Sequence, residues 1–160
     1  MAGRTQAVPP NKLKNRRSES KNTFEAIEYE LTRHGARNIS FDYTAEGKRS
    51  AITFVLVIQG HRLTFHLPAR VANVEKILAR ENGWPEDLTP ARKEQAFRTT
   101  WANIRDWIAA QMALVDSEMV KTEEVFLPYL VAPNGQTLFY ILQEQQFLLP
   151  APRTKVDEVK

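Results

Sequence analysis

Residues 38–68 read NISFDYTAEGKRSAITFVLVIQGHRLTFHLP, and the spacing of apolar side chains along this stretch decides the fold. Ile39, Phe41 and Tyr43 alternate with Ser40, Asp42 and Thr44, the period of two expected of a half-buried strand. Glu46-Gly47-Lys48 has the composition of a turn. The run Ala51 to Ile58 is almost continuously apolar, so both of its faces suit burial and it reads as the central strand. Gly60-His61 marks a second tight turn, with His61 inside it. From Arg62 the alternation resumes, with Leu63, Phe65 and Leu67 on one side and Arg62, Thr64 and His66 on the other, until Pro68 ends it. Three strands joined by two short turns predict an antiparallel meander.

On either side the period changes to that of a helix. Phe24, Ile27 and Leu31 share one face of a helix over 23–34, with Asn22 as N-cap and Gly35 as its stop. Glu25 near its start, and Arg33 and His34 near its end, complement the helix dipole. Val71, Val74, Ile77 and Leu78 predict a second helix over 69–82, stopping near Gly83. After a loop at 84–87, Thr89-Pro90 is a strong start signal, Thr as N-cap and Pro at the first helical position. The helix that follows spans about 30 residues to near Val120, roughly 45 Å at 1.5 Å per residue. Its main stripe is Phe97, Trp101, Ile104, Ile108, Met112, Val115 and Met119, with Ala96, Trp107 and Leu114 beside it. So wide an arc needs two partners, the sheet and another helix or another chain. Farther on, Pro128 interrupts an apolar segment and Asn134-Gly135 is a turn; a short helix over 136–146 is favoured over a hairpin. Phe147 to Pro150 reads as a strap onto the body. The fold class is α+β: a three-stranded antiparallel meander packed with helices, one of them long (about 90–120), in the order α-β-β-β-α-α and a final short helix.

The chain has 160 residues, 42% hydrophobic and 26% charged, which suits one globular domain. It has no cysteine, so disulfides and thiolate metal sites are excluded. No apolar run approaches the roughly 20 residues of a membrane span, and the N-terminus has no apolar signal segment, so a cytoplasmic protein is expected. The net charge of +3 is unevenly placed. Residues 1–22 carry Arg4, Lys12, Lys14, Arg16, Arg17 and Lys21 against Glu19 alone. Residues 23–150 hold 13 basic and 16 acidic side chains. Lacking periodicity and containing Pro9-Pro10, residues 1–22 read as a disordered basic arm on a slightly acidic domain of residues 23–150, with a frayed tail over 151–160. Such an arm is attracted to polyanions, phosphate above all.

Residues that could carry chemistry are scattered. His34, His61 and His66 lie at a helix end, a turn and a strand, with no spacing that brings three ligands together, so no metal or cofactor is expected. There is no Gly-x-Ser-x-Gly and no glycine-rich phosphate loop. The adjacent pairs Glu86-Asp87 and Glu123-Glu124 point apart as sequence neighbours do, and make no acid/base dyad. A non-enzymatic role is therefore expected. Candidate nucleic-acid contacts are the six cations of the arm, Arg62 and His66 on the polar side of the third strand, and Arg98 and Arg105, seven apart on the long helix beside Trp101. For the last pair, side chains snorkelling around a buried tryptophan are the commoner arrangement.

Two resemblances add to this. The order helix, three-strand meander, helix over residues 23–80 resembles the double-stranded RNA-binding domain in topology. Where that family opens its second helix with a lysine cluster, this chain has Ala69-Arg70-Val71-Ala72-Asn73, with one basic residue. The C-terminal half, through Ala96-Phe97-Arg98, Trp101, Ile104-Arg105-Asp106-Trp107, Ala110 to Leu114, Val125 to Tyr129 and Asn134 to Leu138, resembles small uncharacterised proteins of phages, prophages and other mobile elements. That resemblance implies an accessory protein in a bacterial cytoplasm, where nucleic acid is the commonest partner. The leading expectation is a nucleic-acid-binding accessory protein. The alternative is a protein–protein module that inhibits or adapts a host or phage complex, or self-associates, through the long helix and the apolar 125–131 segment.

Overall fold

The computed structural model describes residues 20–148, with side chains from Asn22 onward. Five α-helices and three strands follow one another as α1 (Ser20–Arg33), β1 (Arg37–Tyr43), β2 (Arg49–Ile58), β3 (His61–Pro68), α2 (Val71–Asn82), α3 (Pro90–Asp116), α4 (Thr122–Phe126) and α5 (Leu138–Glu144), with a 3-10 turn at Leu127–Tyr129. The sheet is the antiparallel meander β1-β2-β3 with β2 in the centre. The fold is thus α+β, as the alternation and its change of period predict.

One face of the sheet makes the core. Ile52, Phe54, Leu56, Phe65 and Leu67 point to Ile27 and Leu31 of α1, to Trp101, Ile108 and Met112 of α3, and to Phe126 of α4. α3 packs against both α1 and α2. Phe24 and Phe41 meet the buried Trp101 at 5.1 and 5.9 Å, fixing α1 and β1 to the long helix. The wide apolar arc of α3 is therefore taken up inside this chain: Trp107, from its second stripe, packs edge-on against Phe126 and Tyr129. The opposite face of the sheet carries Asp42, Val57, Arg62 and His66 and is the polar, solvent-facing side, with Val57 half exposed. The outer edge of β3 is closed by Val131, whose N–H donates to the Thr64 carbonyl at 2.8 Å, and by the bridge of Phe65 with Leu130. An edge covered in this way is protected from pairing with other chains.

Local signals set most boundaries. Thr89 is the N-cap of α3, its hydroxyl accepting from the Arg92 N–H, with Pro90 behind it. α1 ends where Gly35 takes a φ of 91° and the Ala36 N–H reaches back to the Leu31 carbonyl at 2.9 Å. Several boundaries differ from expectation. α1 begins at Ser20, so Asn22 lies in its first turn and is not the N-cap; periodicity marks only the packed face, and polar residues extend the helix before it. The second hairpin turns at Gln59-Gly60, both with positive φ (51° and 81°), and His61 is a strand residue paired with Ile58. A two-residue loop of this hand matches the twist of the strands better than a turn one residue later. α3 has 27 residues and stops at Asp116: Glu118 takes a positive φ of 58° and the Met119 N–H returns to the Leu114 carbonyl at 3.0 Å, while the Ser117 hydroxyl donates to the Ala113 and Leu114 carbonyls. Met119 thus leaves the stripe and is 70% exposed. The segment 136–146 is chiefly helical, as α5, preceded by a single bridge of Val131 with Thr137 around Asn134-Gly135. Phe147 and Leu148 are largely exposed, with the Phe147 ring 6.0 Å from that of Phe139 in α5; Leu149, Pro150 and the tail 151–160 lie outside the described residues.

Candidate nucleic-acid interface

At one end of the molecule the β1–β2 turn, the start of α2 and the start of α3 enclose a cleft of about 590 Å³. Lys48, Arg49, Arg70 and Lys93 line it against two carboxylates, Glu46 and Glu75. A body with more acidic than basic side chains therefore gathers four cations here.

Arg49 owes its position to an irregularity in the sheet. Asp42 pairs with Ala51, but Tyr43 pairs with Arg49, so β2 carries one extra residue between them. Strict alternation from Ile52 would send Arg49 to the polar face. The bulge turns it to the helix side instead, a usual effect of such insertions. There its guanidinium lies 4.1 Å from the Phe24 ring centroid, 4.9 Å from Phe41 and 5.8 Å from Tyr43. Its Nε is buried without a hydrogen-bond partner, and among the described residues no carboxylate lies within ion-pair distance. Among the described residues the guanidinium is held by ring faces and not by an ion pair, which fixes its place.

The neighbouring cations are held to different degrees. Lys48 donates to Glu94 at 3.1 Å and lies over the Phe97 ring. Burial works against the Glu94 charge, yet the Lys48 hydrogen bond and the charges of Lys48 and Arg98 together hold its carboxyl below the usual range. Glu46, in the turn, is held below the usual range by its own backbone N–H, with help from the Thr44 hydroxyl. Lys93 has no carboxylate at ion-pair distance among the described residues. α2 starts at Arg70 without a side-chain cap, so the positive end of its dipole adds to the cleft.

The residues singled out from sequence fall in three places. Arg4, Lys12, Lys14, Arg16 and Arg17 lie outside the described residues, and Lys21 stands in the first turn of α1, its side chain outside them. The described chain begins close to the cleft, since Phe24, one turn after Ser20, touches both Arg49 and Phe97. Arg98 joins the rim of the cleft by sharing Glu94 with Lys48. Arg105 is half-buried and bound to Asp106 at 2.9 and 3.0 Å, two turns farther along α3. Arg62 stands on the other face of the sheet, while His66, near the end of β3, lines a second cleft together with Arg70. Arg62 donates weakly to Asn38 at 3.4 Å, and His66 Nδ1 lies 3.0 Å from the Thr53 hydroxyl and 3.6 Å from Asp42. Trp101 is buried, so Arg98 and Arg105 flank a packed ring and not a stacking surface.

Lys48, Arg49, Arg70 and Lys93 were not among the sequence candidates. One signal for them was present: Lys48-Arg49 at the base of a hairpin breaks the apolar pattern of β2, and Arg70 is the cation opening α2. Their convergence depends on the bulge and on the packing of α3, which no local pattern encodes. Among the described residues no group of three or more His, Asp or Glu is placed to hold a metal ion, and no helix is long and apolar enough to cross a membrane. Comparison with protein families, with curated proteins and with solved structures finds no match to this chain.

Proposed function

We propose that this chain is a non-enzymatic nucleic-acid-binding accessory protein, in the setting of a phage or other mobile element that the resemblance of its C-terminal half implies. The observation that carries the reading is the coincidence of two positive features at one end of an otherwise acidic body. The cleft of Lys48, Arg49, Arg70 and Lys93 opens where α1 begins, and the residues preceding α1 hold the largest excess of cations in the sequence. Phosphates are the common polyanionic ligand such a combination attracts. The basic segment supplies sequence-independent attraction, and the cleft supplies fixed contacts. Arg98 adjoins this surface through Glu94, which it shares with Lys48; Arg62 and Arg105 are peripheral to it, and His66 lines the neighbouring cleft that Arg70 also borders.

The test is fluorescence anisotropy with labelled single-stranded DNA, duplex DNA and duplex RNA at low salt. The full chain is compared with a full-length variant in which Arg4, Lys12, Lys14, Arg16, Arg17 and Lys21 are replaced by glutamine. Binding by the parent, weakened at least tenfold in the variant, is the expected result. No binding of any probe at low salt defeats the reading.

The protein–protein alternative has less to stand on. It rested on the apolar arc of α3, which is taken up largely by the sheet, α1 and α4, and on the apolar 125–131 segment, of which Val125, Phe126, Tyr129 and Leu130 pack against the core and Leu127 stays exposed.

A further inference from the structure

Arg70 lines a second cleft as well as the first. This one, about 660 Å³, lies between the end of β3, α3, the 3-10 turn and α5, and its wall is largely aromatic: Tyr129, Phe139 and Tyr140, with His66, Asn103 and Thr137 beside them. Its volume falls in the range of small-molecule sites. Phe139 and Tyr140 are 38% and 42% exposed, and they meet edge to face at 5.5 Å, so their outer surfaces face solvent. Arg70 donates to the Tyr140 hydroxyl at 2.7 Å, with its guanidinium 5.9 Å from the Tyr140 ring centroid. One arginine thus stands between a cationic cleft and an aromatic one, and is held there by a ring of the second.

We infer that the ligand is a single-stranded nucleic acid, with its backbone phosphate in the Lys48–Arg49–Lys93 cleft and an unpaired base against Phe139 and Tyr140. The inference rests on the nucleic-acid reading above and narrows it. A base inside a duplex is stacked on both faces and cannot enter a concave aromatic site. An unpaired base presents a free π-face, and proteins that bind single strands combine a positive groove with aromatic platforms of this kind. Charge complementarity favours this occupant over an apolar peptide, because Arg70 sits at the mouth of the aromatic cleft and three further cations lie beyond it. Asn103, His66 and Thr137 add hydrogen-bonding groups to the lining of this cleft.

The experiment uses the full chain. Anisotropy is measured with a single-stranded DNA of about 12 nucleotides, an RNA of the same sequence and the corresponding DNA duplex, for the parent, Tyr140→Ala, Tyr140→Phe and Phe139→Ala. Both aromatics are partly exposed on a surface helix, and circular dichroism confirms that each variant is folded. The single strands are expected to bind about tenfold more tightly than the duplex. Tyr140→Ala and Phe139→Ala each lower single-strand affinity about tenfold, and Phe139→Ala, which leaves the Arg70–Tyr140 contact intact, leaves duplex affinity unchanged. Tyr140→Phe, which keeps the ring, loses less. The DNA and RNA arms separate a site that accepts either sugar from one that requires the 2′-hydroxyl. Photocrosslinking of a 5-iodouracil strand, mapped by mass spectrometry, is expected at Phe139 or Tyr140. Equal affinity for strand and duplex, with the alanine variants unchanged, overturns the inference and leaves the polyanion reading standing. Absence of binding by every probe brings down that reading itself.

Discussion

Arg49 shows how far a single side chain departs from its local pattern and why. Its Nε is buried without a partner, a loss of about 1–3 kcal/mol for a desolvated polar group. Three ring faces around the guanidinium return about 2 kcal/mol when partly desolvated. The two nearly cancel, so the fold gains little from the charge. Arg49→Met keeps the length and apolar stem of the side chain, and its stability is expected to stay within about 1 kcal/mol of the parent by denaturant unfolding. Its affinity for a single-stranded oligonucleotide, in contrast, is expected to fall at least fivefold; unchanged binding would remove Arg49 from the site. Thr99 is the converse case. It is fully buried on α3 with its hydroxyl unpartnered, and no charge or cleft explains it. Thr99→Val is expected to stabilise the protein by about 1 kcal/mol, seen as a rise of about 4 °C in Tm by calorimetry. A drop in Tm would show that the hydroxyl has a partner. Neither site was legible in the sequence, because each depends on what neighbouring elements place against it.

At the level of elements the sequence was far more legible, and the pattern of success follows the physics. A period of two in the first and third strands admits one reading, since shifting either by one residue would put its apolar set in water. Thr89-Pro90 and Gly83 set helix ends through backbone chemistry that needs no tertiary context. The ends that moved, Ser20 and Asp116, are those where polar residues continue or stop a helix outside its packed face. The C-terminal third was hardest to read because its elements are short and held by single bridges. The pairing of α1 with α3 yields a pH prediction. At their C-terminal ends His34 Nε2 lies 2.8 Å from Asp116 Oδ1, and Arg33 bonds the other Asp116 oxygen. The hydrogen bond from His34 is the main cause holding the Asp116 carboxyl below its ordinary 3.8; desolvation opposes it, and the charge and hydrogen bond of Arg33 add to the lowering. A carboxyl lowered in the folded state contributes stability that is complete above the unfolded value and is lost as pH falls through the folded one. Asp116→Asn is therefore expected to melt below the parent at pH 7. The gap in Tm should hold down to about pH 4 and close as the pH falls further. A gap that is the same at pH 7 and in strong acid would mean that Asp116 acts through something other than its charge.

For the whole molecule, what matters is where charge lies relative to the fold. The sequence shows the imbalance: five of the six cations before residue 23 precede α1, while residues 23–150 carry more acidic than basic groups. The structure adds that α1 starts beside the one cleft of the described body where Lys48, Arg49, Arg70 and Lys93 converge. If both sets contact phosphates, they contribute to the salt dependence in proportion to their number, because each phosphate neutralised on a single strand releases about 0.7 of a counterion. Plots of log affinity against log salt concentration for a single-stranded oligonucleotide should then be straight. Replacing the six N-terminal cations by glutamine should flatten the slope by about 4, and replacing Lys93 alone by about 0.7. Arg62→Gln, on the far side of the sheet, should leave the slope as it was, which makes it the internal control. The distinction between arm and cleft lies in what remains after the six replacements. A residual slope of two or three means that the cleft holds phosphate by itself and that the basic segment mainly speeds encounter. A slope near zero means that the cleft cations serve the fold or another ligand, and that the polyanion is held by the N-terminal segment alone.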